Sequence, residues 1–404
     1  MLTSLAWKNI WRNKKRSLII IIAITFGLWG GLLAGAIMMG WGESMVDTAI
    51  DRNLAHIQIH NPGFLRDKEV TNFIPGGFAI MDSIRNIPGI KAISGRTLVE
   101  GMAASPTSTF GVTIMGIDPN QAKRVTEIYK ELTDGKYFTG KTKNPIVIGQ
   151  KLADRLSLKI HSKIVLSFQG LDSSLTYAAF RVVGIYKSES SLFDESHVFV
   201  KQSDLFRLLN TTPIVHEIAV RVESAKIMPR ILAVIQARYP NLDVKTWKEL
   251  APEIAVTADA MITFTYLFVG IILMALIFGI TNTMLMAVME RIRELGMLIA
   301  IGMKRLKVFV MILLETIMLS FTGGILGMII GGASIAWLSH TGIDFSAFSS
   351  SMESFGIGTV LYPFLPLDMY VALVAMIIVA ASIASTVPAW KAVHLVPSKA
   401  IRTY

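Results

Sequence analysis

The sequence predicts a membrane protein with four transmembrane α-helices and a large extracytoplasmic mixed α/β domain between the first and second. Three observations carry this. The 404 residues are 52% hydrophobic and only 17% charged, with a mean hydropathy of +0.53; soluble domains carry roughly 25% charged residues. Four runs, at 18–39, 262–289, 308–338 and 369–387, are apolar enough and long enough to be read as spans. Between the first two lie more than two hundred residues of ordinary composition.

Lys8, Arg12, Lys14, Lys15 and Arg16 precede the first span. Arg291, Arg293, Lys304, Arg305 and Lys307 separate the second from the third, and Lys391, Lys399 and Arg402 follow the fourth. The loop between the third and fourth spans carries Asp344, Glu353 and Asp368 but neither Lys nor Arg. Basic clusters near span ends mark the cytoplasmic side, so both termini are expected in the cytoplasm of a bacterial inner membrane. Segment 41–261 is then external, and its 26 Lys and Arg nearly balance 23 Asp and Glu. The net charge of +10 is therefore a topology signal and does not point to nucleic acid.

In chain order, residues 1–16 read as a cytoplasmic amphipathic helix, with Trp7 and Trp11 among Leu2, Leu5 and Ile10. Residues 17–40 form the first span. Its apolar stretch exceeds a signal-peptide core, so Ala34-Gly35-Ala36 is expected to remain uncleaved. The external domain, 41–261, starts helically through Glu43, Asp47 and Asp51. Alternation predicts strands at 56–60, 90–103, 110–117, 145–149, 163–168, 177–186, 197–200 and 217–222. Helices are expected at 79–86, 121–132, 150–156, 203–209 and 226–238, with a turn at Asp134-Gly135. The second span covers 262–289, a charged surface helix 290–307, the third span 308–338, an external loop 339–368, the fourth span 369–387 and a cytoplasmic tail 388–404. The chain has no cysteine, which excludes thiol chemistry and disulfides.

The charged helix is the most informative segment, because it joins two spans at the cytoplasmic face and offers a soluble partner a handle. Glu290 with Arg293, and Arg291 with Glu294, stand three apart and can pair on one face. Gly296 and Gly302 would let the chain turn toward the third span. Gly27, Gly31 and Gly35 on the first span and Gly323, Gly327 and Gly331 on the third recur every four residues, a spacing for close helix packing. Packing within the chain and a subunit interface are equally consistent with it, and the first span is taken as the interface. Asn282 and Glu315 are polar positions within spans, expected to face the protein interior; Glu315 lies about two turns beyond Lys307, too shallow for a proton path. His56 and His60 lie on one strand without a third ligand, so neither a metal site nor a catalytic triad is expected. A Gly-x-x-x-x-Gly-Lys-Thr string occurs at residues 135–142, but a strand rather than a helix is expected after it, so it is not read as a loop that cradles a nucleotide phosphate.

Leu5-Ala-Trp-Lys-Asn-Ile-Trp-Arg-Asn-Lys-Lys-Arg16, the stretch 282–302 with its Met289-Glu-Arg-Ile-Arg-Glu-Leu-Gly296 core, and Ala384-Ser-Thr-Val-Pro-Ala-Trp-Lys391 followed by Pro397-Ser-Lys-Ala-Ile-Arg402 together resemble MacB/FtsX-type ABC transporter permeases. Gly116-Ile-Asp-Pro119 and Phe180-Arg-Val-Val-Gly-Ile185 lean toward the lipoprotein-releasing, LolC/LolE-like branch. The resemblance implies a dimeric, mechanically transmitting permease, homo- or heterodimeric, driven by a separate cytoplasmic ATP-binding subunit. ATP and Mg would reside on that subunit, and this chain would not be an enzyme. Glu290, Arg291, Arg293, Glu294, Gly296 and Gly302 would couple to the ATPase. Lipoproteins or a periplasmic partner would engage the external domain. Tripartite efflux and control of cell-wall hydrolases are the other tasks of the family. A membrane-anchored sensor is the competing class, and a sensor has no need of the charged helix.

Overall fold

A computed structural model describes residues 10, 12, 14–140, 142–348 and 358–394. The expected helix 1–16, apart from residues 10, 12 and 14–16, and the tail beyond 394 lie outside the described residues. Among the described residues, four helices are long and apolar enough to cross a membrane: Lys14–Ala49, Pro252–Glu290, Arg305–Thr341 and Leu367–Val393. The chain divides into two units, one holding residues to 42, 259–344 and from 360 onward, the other 43–258 with 345–359.

In the membrane unit the glycine stripes are filled from within the chain. A Cβ on Gly327 would lie 2.9 Å from Leu28 Cβ and 3.0 Å from Thr25 O, and one on Gly323 would lie 2.9 Å from Ile21 O. The first and third spans therefore touch almost backbone to backbone, as small residues permit in lipid. Thr25 Oγ1 donates to Gly323 O (3.1 Å) and Trp29 Nε1 to Ser334 Oγ (3.1 Å) across the same seam. Gly27 is capped by Leu276 and Gly35 by Thr265, both on the second span. Leu276 and Thr265 of the same chain thus pack against Gly27 and Gly35, the within-chain packing that the spacing allowed. Tyr370 OH donates to Met328 O (2.7 Å) and Thr281 Oγ1 to Ala384 O (3.0 Å), tying in the fourth span.

The external unit is a ten-stranded sheet system in which one long strand serves two halves. Its strands are β1 Ile57–His60, β2 Ile90–Ala104, β3 Thr109–Ile117, β4 Leu132–Gly135, β5 Pro145–Gly149, β6 Lys163–Gln169, β7 Leu175–Tyr186, β8 His197–Lys201, β9 Glu217–Val222 and β10 Asp243–Thr246. Pairings β2–β3, β3–β8, β8–β5, β5–β7, β7–β6 and β6–β2 close a six-stranded ring. Ile114, Ile146, Ile148, Leu166, Phe180 and Val198 are buried in its core. The first residues of β2 pair instead with β9, and β9, β1 and β10 continue as an open antiparallel sheet. Helices Gly77–Arg85 and Met228–Arg238 cover that sheet through Met81, Ile84, Ile231 and Ile235.

Two expected elements differ. The helix expected at 121–132 ends at Val125, because Thr126 turns extended (φ −127°, ψ 159°) while its hydroxyl bonds back to Ala122 O. Asp134-Gly135, read as a turn, belongs to β4, where Gly135 at φ +79° sits beside a register shift. The short strand β10 and helix Ser191–Ser196 went unpredicted.

Four histidines are packed neutral in this unit. Leu98 N–H donates to His216 Nδ1 (3.2 Å), leaving Nε2–H for Val70 O at 2.8 Å. Burial lowers His216 and His60, and takes His56 and His197 down to about 4. In the unfolded chain they titrate near 6.5, so between about pH 6.5 and 4 the unfolded state binds more protons and stability falls with pH. Glu131, raised by burial and by Glu189, acts in the opposite sense. For His197 the loss at pH 5 is about 2 kcal/mol. The thermal midpoint of the external unit, read by amide exchange of β1 and β9, should drop by several degrees between pH 7 and 5; a flat profile would contradict neutral packing.

Candidate coupling site

The second long helix stops at Glu290, Arg291 leaves helical geometry (φ −105°, ψ 19°), and a new helix runs from Ile292 to Ala300. Its far end is a complete Schellman closure. Gly302 takes φ +99°, its N–H donates to Ile299 O (3.1 Å), and Met303 N–H reaches Leu298 O at 3.0 Å. That pairing with a left-handed residue is a geometry glycine adopts without penalty. Gly302 therefore turns the chain toward the third span. Gly296 does not; it is buried within the helix, which corrects the expectation for it.

The short helix has two faces. Leu295 is buried in the membrane core cluster with Leu298 and Ile299 packed beside it, near Met284, Val288, Met311 and Ile312. Arg293, Met297, Ala300 and Ile301 are exposed, and Met297 and Ile301 are 50% and 85% accessible. Large apolar side chains one turn apart on an exposed face, beside a guanidinium, suit a helix laid into a groove.

Two of the charges predicted to face a partner turn instead toward this chain. Arg291, only 12% exposed at its side chain, reaches Glu315 Oε1 at 3.3 Å, and Glu315 is 5% exposed. Its Nε also bonds Glu294 Oε2 at 3.3 Å. Glu294 accepts from Arg12 as well; the Arg12 guanidinium, then Arg291, holds its carboxyl below the usual carboxylate range. One guanidinium thus links the short helix to the third span, and one carboxylate links it to the segment before the first. Glu290 is exposed at the end of the second helix. Asn282 is exposed rather than interior, because the helix buries Ile280, Met284 and Ala287 and position 282 falls on the other side of its turn. Met297 and Ile301 were missed by sequence reading, since apolar residues in an apolar chain give no signal until the helix's rotation is known.

The model for the MacB-like periplasmic core domain matches residues 17–238, and that for the FtsX-like permease carboxy-terminal region matches 266–397. This chain belongs to the MacB/FtsX-type ABC transporter permeases. Within that family it is similar to the uncharacterized ABC transporter permease YknZ of Bacillus subtilis (strain 168), 24% identical over 361 residues covering 83% of this chain and 86% of the relative. The macrolide export ATP-binding/permease protein MacB of Agrobacterium fabrum is 21% identical, over 86% of this chain and 54% of its own. The pyoverdine export ATP-binding/permease protein PvdT of Pseudomonas fluorescens is 24% identical, over 84% and 53%. The chain spans about half the length of these two ATP-binding/permease relatives. Among solved structures, the periplasmic region of MacB from Actinobacillus actinomycetemcomitans aligns with 51% of this chain and 94% of its own, at 12% identity and a TM-score of 0.36. In this MacB/FtsX-type chain the short helix between the second and third spans falls inside the FtsX-like segment.

Proposed function

We propose that this permease takes ATP-driven movement from a separate cytoplasmic ATP-binding subunit, which carries the ATP and Mg, and relays it to the external domain. The observation that carries this reading is the two-faced helix Ile292–Ala300, with Leu295 buried in the membrane core and Arg293, Met297 and Ile301 exposed. Arg291 and Glu294 then act on the chain's own side: they fasten the gripped helix to Glu315 and Arg12. A displacement of the helix would reach the first and third spans together. The basic clusters support cytoplasmic termini, and the Gly-x-x-x-x-Gly-Lys-Thr string at residues 135–142 leads into strand β5 rather than the helix that a phosphate-cradling loop opens, which supports placing hydrolysis on the partner. A second permease subunit, identical or not, completes the working unit.

For cargo, lipoprotein release is the reading favoured by Gly116-Ile-Asp-Pro119, whose Asp118 caps helix Pro119–Val125 by accepting from Asn120 N–H at 2.8 Å, and by the Phe180–Ile185 phrase within β7. Export of small molecules is the second reading, favoured by the relatives named for macrolide and pyoverdine export.

Met297→Asp with Ile301→Asp tests the docking face. Both side chains are exposed, so the variant should fold, while co-purification of the ATP-binding subunit should fall by about tenfold or more. Undiminished co-purification would remove the docking face from this helix.

A further inference from the structure

At the outer end of the first long helix, residues Ile50–Leu54 form a π-turn, closed by Ala55 N–H donating to Ile50 O at 3.1 Å. Single π-turns are rare and frequently mark functional positions. Three carbonyls of this one are held by the external domain. Asp51 O accepts from Glu127 N–H (2.7 Å), Asn53 O from Arg96 Nη1 (2.6 Å) and Leu54 O from Gln58 Nε2 (2.9 Å). Arg96 also forms a buried ion pair with Glu217 on β9, and Arg221 on the same strand pairs with the Asp51 carboxylate at 2.5 Å.

The residue that follows is strained. Ala55 is fully buried, with φ +53° and ψ −172°, a region populated almost only by glycine. Alanine here is a cost that a glycine would not carry, and such strain persists only where surrounding contacts impose it. The same place holds the start of the second long helix: Ile50 packs with Trp247 and Ala255, and Trp247 N–H donates to His56 O at 3.1 Å. A strained residue, a π-turn, two ion pairs and the roots of two long helices thus meet at one node.

We propose that Ile50–Ala55 is a second coupling site, a two-state joint that passes movement of the first long helix into β1 and β9 by exchanging π for α geometry. In its π form the carbonyls are held by Arg96, Gln58 and Glu127 and Ala55 is strained. In its α form the turn gives up one residue, Ala55 relaxes, and the hold on β1 changes. The strain on Ala55 keeps the two forms close in free energy. This inference rests on the force-transmitting reading above, and Arg96, Glu217 and Arg221 are positioning residues in it.

The test is amide exchange of the full protein in lipid nanodiscs with its ATP-binding subunit, nucleotide-free and trapped with ATP and vanadate. In the natural sequence, exchange at residues 50–56 should differ between the two states by about tenfold. Ala55→Gly removes the strain that favours the α form, so the difference should shrink below about twofold, with unfolding no lower than the parent and protection in β3 and β8 retained. Arg96→Met with Glu217→Leu, an apolar replacement that leaves no stranded buried charge, should remove the difference too. Constant exchange at 50–56 while β1 and β9 respond to nucleotide overturns the joint and leaves force transmission standing. An unaltered nucleotide response in both variants also overturns the joint. No response anywhere in residues 43–258 of the natural sequence overturns both ideas.

Discussion

Arg291→Ala is expected to cost about 1–3 kcal/mol, the order expected when a buried carboxylate loses one charged hydrogen-bond partner. Glu315 is 5% exposed at its side chain and Arg291 reaches both of its oxygens, at 3.3 and 3.5 Å. The loss should appear as a large drop in thermal midpoint in detergent. Arg291→Met with Glu315→Leu separates stability from function. Replacing both partners of a buried pair by apolar groups is often nearly neutral, so the double variant should recover most of the midpoint. It should still fail to couple, because the short helix no longer pulls on the third span. A single variant with a midpoint unchanged from the parent would show that the pair does not fasten the helix.

Gly327→Leu is the second large effect. Even a bare Cβ there would lie 2.9 Å from Leu28 Cβ and 3.0 Å from the Thr25 carbonyl oxygen. A backbone atom cannot rotate away, so the first and third spans must separate and the Thr25–Gly323 hydrogen bond is lost. Overpacking of this kind costs about 1–3 kcal/mol or more. Gly324→Ala is the control, since a Cβ at that neighbouring position meets nothing within 4 Å. The contrast is read as folded yield after membrane extraction: poor for Gly327→Leu, parental for Gly324→Ala. Equal yields would deny the backbone-close seam.

What the sequence disclosed was governed by signal length. Spans of about twenty apolar residues are unmistakable, and alternation over seven or more residues, as in β3 and β7, was equally plain. Strand β10 has four residues and a single buried side chain, Val244, too short for a period to appear. Gly302 was legible because a left-handed helix stop has its own chemistry. The faces of the charged helix were not. Spacing says that Arg291 and Glu294 can meet, and they do; it does not say which way the pair points. That rotation is set by Leu295 seeking the membrane core, and it turns Arg291 toward Glu315 while presenting Met297 and Ile301. Asn282 was misplaced for the same reason, its orientation fixed by Ile280 and Met284 rather than by its own polarity.

The account depends on the short helix lying inside the cell and under the ATP-binding subunit. The chain has no cysteine, so Ile301→Cys, at a position 85% exposed, gives a single reporter thiol. Labelling with a membrane-impermeant maleimide should fail in sealed spheroplasts, succeed in inverted vesicles, and be protected there when the ATP-binding subunit is bound. Rapid labelling from outside the spheroplast, or labelling in inverted vesicles that the bound subunit does not slow, would contradict it.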